Sequence, residues 1–84
     1  MKETVYSLNG TYKVEGVYHI DDCYIVTIDV QNLYVTVQNA HCKAEKYTFN
    51  GEDAKEAIQD IFDTWQQEGY SIEYACASWI SVCI

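Results

Sequence analysis

Between Asn50 and Gly69 the apolar residues Ala54, Ala57, Ile58, Ile61, Phe62 and Trp65 recur at helical spacing. Advanced at about 100° per residue, they fall within an arc of about 140°. The spacing predicts a helix over Gly51–Glu68, with Asn50 as N-cap, Asp53 as an imperfect capping-box partner and Gly69 at the C-terminal end. The opposite arc is acidic and holds Glu52, Glu56, Asp60 and Asp63 with Gln59 and Gln67. One side of this helix must rest on a sheet, and the other offers carboxylates to solvent or to a partner.

Elsewhere the pattern has period two, the signature of strands. Residues 4–8 read as a strand ending at Asn9-Gly10, a dipeptide suited to a type I′ hairpin turn. A second strand covers residues 11–20, with Tyr12, Val14, Tyr18 and Ile20 on one parity and Gly16 as a bulge or close-packing point. If Asp21-Asp22 alone formed the next loop, the apolar parity of residues 24–30 would face away from Val14 and Tyr18. An odd loop length, or a bulge at Gly16, restores the match by pairing Tyr18 with Tyr24 and Val14 with Ile28.

A turn at Gln31-Asn32 pairs Val30 with Leu33, Ile28 with Val35 and Val26 with Val37. It leaves Asp29 opposite Tyr34 and Thr27 opposite Thr36 on a more polar face, as in a sheet covered on one side. After a loop AHCKAE, the short strand KYTF leads into the helix. Residues 70–84 alternate again, and from Tyr74 onward none is charged. Read as a strand, this stretch is either central or paired to another molecule, because an exposed edge would carry protective charge. The expected fold is one α+β domain over residues 1–84: two layers, a five- or six-stranded mainly antiparallel sheet with one helix packed on one face, in the order ββββ(β)αβ. The crossover through the helix would set the last strand parallel to the one before the helix.

Composition narrows the function classes. The chain has 84 residues, 49% of them hydrophobic, which is enough for one core and too apolar for a disordered segment. Thirteen Asp and Glu face five Lys, there is no arginine, and the formal charge is −8. Direct nucleic-acid binding needs Lys and Arg clusters, and anionic membranes repel this charge, so an electrostatically steered partner is basic. The N-terminus lacks the apolar run of a signal peptide and no stretch is long enough for a membrane span, which points to a cytoplasmic protein with reduced cysteines.

No motif carries chemistry. His19, Cys23, His41, Cys42, Cys76 and Cys83 lack the paired short spacings of zinc ligands, and neighbours such as His41 and Cys42 point apart, so no metal, cofactor or catalytic residue is expected. No glycine-rich phosphate loop or serine elbow is present. Glu52, Asp53 and Glu56 have an ordinary reason to be acidic, the dipole at the helix N-terminus; Asp60 and Asp63 do not. Glu52, Glu56 and Asp60 also repeat like charge at i,i+4, which costs a few tenths of a kcal/mol per pair, roughly.

The chain's profile, small, acidic, arginine-free and mixed α+β, is similar to that of phage-encoded anti-CRISPR and anti-restriction proteins, a likeness of size and charge carried by no motif. It implies a non-enzymatic inhibitor that mimics phosphate (a DNA mimic) and binds a basic nucleic-acid-handling protein. The partner-binding residues would be Glu52, Glu56, Asp60 and Asp63, with Asp21 and Asp22 at a loop tip. Against this stands the simpler reading of a solvated polar face. An alternative from another class is a homodimerising interaction module that pairs through the uncharged C-terminal strand, by way of Ala75, Ala77, Trp79 and Ser81.

Overall fold

The computed structural model describes residues 10–69 and 71–83. The expected strand over residues 4–8 and the pairing across Asn9-Gly10 lie outside them. Among the described residues, four strands, β1 (Gly16–Ile20), β2 (Tyr24–Asp29), β3 (Tyr34–Asn39) and β4 (Lys46–Asn50), form an antiparallel meander in the order β1-β2-β3-β4. Two helices follow, α1 (Gly51–Glu68) and α2 (Ile72–Cys83). The α+β class is as expected, but the five- or six-stranded sheet with one helix is corrected, among the described residues, to a four-stranded sheet and two helices.

The β2–β3 hairpin has the expected register: Ile28 opposes Val35, Val26 opposes Val37, Thr27 opposes Thr36 and Asp29 opposes Tyr34. The turn closes where Leu33 N–H donates to the Val30 carbonyl at 3.2 Å. Between β1 and β2 the loop is odd, as parity requires, because Asp21, Asp22 and Cys23 all lie in the turn. Ile20 therefore opposes Tyr24, Tyr18 opposes Val26 and Gly16 opposes Ile28. The expected Tyr18–Tyr24 pairing is off by two residues, which keeps the face and changes the partner.

Residues 11–14 are not strand. Gly10 takes φ 89°, and Thr11–Val14 form a 3-10 turn that buries Thr11 and Val14. This turn packs on α1 and closes one end of the core. The Tyr18 hydroxyl holds it in place by donating to the carbonyls of Val14 (2.8 Å) and Glu15 (3.3 Å). Gly16, at φ 152°, lets the Tyr18 ring approach: a Cβ there would stand 3.1 Å from the hydroxyl oxygen.

The larger correction concerns the C-terminus. Residues 72–83 form a helix because Ile72, Ala75, Cys76, Trp79, Ile80 and Cys83 follow i, i+3, i+4, i+7, i+8 and i+11, and the middle four are buried on the core. The same run satisfies period two only because both parities are apolar. Twelve residues also exceed an ordinary strand. Ser71 starts the helix: Tyr74 N–H donates to its Oγ at 3.1 Å, and Glu73 sits in the first turn. The dimerising strand of Ala75, Ala77, Trp79 and Ser81 therefore does not exist. Ala75 and Trp79 are core residues, Ala77 is half-buried and Ser81 is exposed.

Helix α1 lies as its pattern requires, with Ala54, Ala57, Ile58 and Ile61 buried and Phe62 and Trp65 half-buried in edge-to-face contact at 6.2 Å. Gly69 ends it in the left-handed conformation, its N–H donating to the Trp65 carbonyl. Asn50 makes no side-chain cap. The entry is set by the backbone: β4 runs into α1 with no intervening residue, Gly51 takes φ 57°, and its N–H donates to the Leu33 carbonyl at 3.1 Å. Among the described residues no helix is long and apolar enough to cross a membrane.

Candidate functional site

Glu52, Glu56, Asp60 and Asp63 are all exposed on the outer side of α1. Glu52, Glu56 and Asp60 recur every four residues, about 6 Å along the axis. Asp63 accepts a hydrogen bond from Gln59 Nε2 at 2.9 Å; among the described residues, Glu52, Glu56 and Asp60 make no hydrogen bond or ion pair. The column is solvated and unneutralised, with half-buried Lys55 the one cation in α1.

The carboxylates do not act as one row. At about 100° per residue, Glu56, Asp60 and Asp53 succeed one another round the helix toward Ala57 and the protein surface, whereas Glu52 and Asp63 stay near the crest. The first three descend into a cleft of about 400 Å³ between β4, α1 and α2, lined by Thr48, Phe49, Asp53, Glu56, Ala57, Asp60, Trp79 and Cys83. Phe49 and Trp79 meet there edge to face, with centroids 5.2 Å apart. The sequence pattern alone misses Phe49 and places Trp79 only in a dimerising strand. The helical spacing of Trp79 and Cys83 is the signal that places them on one side.

Asp21 and Asp22 are not part of this surface. Asp21 lines two other clefts, one of about 350 Å³ with Ile20, Cys23, Tyr24, Ala77, Ile80 and Ser81, the other of about 260 Å³ with His19, Ser71, Glu73 and Tyr74 among its walls. Both aspartates have a backbone reason to be there. They take φ 49° and 59° in a turn closed by Cys23 N–H on the Ile20 carbonyl at 2.7 Å, and Asp tolerates that conformation better than most residues.

The His and Cys residues are dispersed. Among the described residues no group of three or more His, Cys, Asp or Glu is placed to hold a metal ion. His41 and Cys42 are exposed in a loop organised by Asn39, whose Oδ1 accepts both of their N–H groups at 2.7 and 3.1 Å. Cys23, Cys42 and Cys83 are exposed free thiols, while Cys76 is buried. Burial, with Glu73 nearby adding to it, pushes the Cys76 thiol up to about 12, so it stays protonated as a small apolar core group. No protein family, curated protein or solved structure matches the chain.

Proposed function

We propose that this protein is a non-catalytic inhibitor or adaptor that binds the phosphate-recognising surface of a basic nucleic-acid-handling protein, in the manner of anti-CRISPR or anti-restriction proteins, and acts in the cytoplasm. The observation that carries the reading is the set of carboxylates on α1 without a cationic partner among the described residues: Glu52, Glu56, Asp60 and Asp63, all exposed on one helix of a chain with charge −8. Lys and Arg groups that normally meet phosphate can meet these carboxylates instead, and the surrounding negative field speeds the encounter. Asp21 and Asp22 contribute to that field from a separate site.

The test uses a panel of purified basic nucleic-acid-binding proteins, nucleases among them, at low and high salt. Binding is expected to be salt-labile and competed by DNA. Asp60→Lys combined with Asp63→Lys is expected to weaken it about tenfold at low salt, with thermal stability nearly unchanged because both positions are exposed. Unchanged affinity in that variant removes the reading.

A second reading, self-association through the outer side of α2, is favoured by Val82, which is 82% exposed in a helix with no charge after Glu73. Sedimentation across a concentration series is expected to show a dimer that Val82→Lys dissociates. A monomer at every concentration excludes it.

A further inference from the structure

We infer that the cleft between β4, α1 and α2 receives the guanidinium group of an arginine side chain presented by the partner protein, an inference that rests on the reading above and gives it a point of contact. Three features converge there. Asp53, Glu56 and Asp60 line one wall, and half-buried Phe49, backed edge to face by the buried Trp79, supplies the aromatic floor. The volume of about 400 Å³ falls within the range of clefts that enclose small ligand groups, about 300–1,000 Å³.

The combination selects among cations. A divalent metal needs ligands gathered at one point, and these carboxylates line the cleft without forming such a cluster. Lysine carries a compact, strongly hydrated charge that gains little from an aromatic floor. Arginine is more weakly hydrated, lays its plane against aromatic rings and offers up to five N–H donors to carboxylates at its rim. This chain contains no arginine, so neither its own side chains nor a second copy can supply the group.

The peptides Ac-Gly-Arg-Gly-NH2, its lysine counterpart and its neutral citrulline counterpart test the cleft directly, by nuclear magnetic resonance titration of the isotope-labelled protein. The arginine peptide is expected to shift the Trp79 indole N–H and the amides of Phe49 and Ala57 saturably. The citrulline peptide should bind at least about tenfold more weakly, with the lysine peptide between the two. Glu56→Gln with Asp60→Asn, both exposed and nearly isosteric, should reproduce the citrulline loss with the fold intact. Equal binding of citrulline and arginine peptides, arginine shifts as large at Asp21 and Asp22 as at the cleft, or undiminished binding by the double variant overturns the inference. If the double variant loses the peptide yet still captures a basic nucleic-acid-binding protein undiminished, the cleft contact falls and the inhibitor reading stands. If the arginine peptide binds and no protein of the panel does, the reading falls, and with it the partner as source of the arginine.

Discussion

Trp79→Ala is expected to lower the free energy of unfolding by about 3–5 kcal/mol, measured by urea denaturation followed with far-UV circular dichroism. Trp79 is 5% exposed and packs its ring against Phe49, so truncation removes apolar burial, opens a cavity and breaks an aromatic contact worth about 0.5–1.5 kcal/mol. It also joins the two helices to the last strand, which leaves little to close the space it vacates. A domain of this size sits toward the lower end of ordinary stabilities, about 5–15 kcal/mol, so the variant should be partly unfolded without denaturant. Val82→Ala, on the same helix but exposed, should stay within about 0.5 kcal/mol of the parent. A loss below about 1.5 kcal/mol for Trp79→Ala would remove this residue from the core.

The second large effect is alkaline. Folding keeps the Cys76 thiol neutral, lifting it from an ordinary 9.0 to about 12 through burial first and Glu73 second. Above about pH 9 the unfolded chain gives up this proton while the folded chain keeps it. The stability from the neutral buried thiol is therefore complete below pH 9 and is lost progressively as the pH rises toward about 12. The full displacement, at about 1.4 kcal/mol per pH unit, corresponds to a loss on the order of 4 kcal/mol. Tyr18 acts in the same direction, raised above 10.0 by burial first and then by electrostatic interaction with Cys76, Glu73 and Glu15. Denaturation midpoints measured between pH 8 and 11 should fall, and Cys76→Ala, although less stable throughout, should fall less steeply. A Cys76→Ala slope identical to the parent's would show that this thiol does not couple to folding.

How much of the fold could be read beforehand depended on how many rules agreed at each element. For α1, period, acidic outer arc and terminal glycine pointed the same way, and burial of Ala54, Ala57, Ile58 and Ile61 follows. The β2–β3 hairpin was legible because a one-residue slip would have turned Val26, Ile28, Val35 and Val37 away from the core. Parity does not distinguish registers two residues apart, and there the β1–β2 partners differ from expectation. At α2 the pattern was ambiguous in itself, since Ala75, Cys76, Trp79 and Ile80 are apolar on both parities and fit a helix equally well.

That one ambiguity also concealed the cleft beside α1. Exposure of Glu56 and Asp60 was readable from α1 alone, but the cleft needs Trp79 and Cys83 brought alongside Phe49, which only a helical C-terminus does. Asp21 and Asp22 do not line this cleft. Their place is accounted for by backbone conformation in the turn.

The corner at Gly51 has a mechanical meaning. With strand and helix joined directly, the number of residues at that corner sets the rotational phase of everything after it. One residue more would turn α1 by about 100° and advance it by about 1.5 Å. Its greasy stripe would swing off the sheet and its charged column toward it. Chain count at that single joint must therefore agree with the apolar pattern of the helix for its acidic flank to meet the outside world.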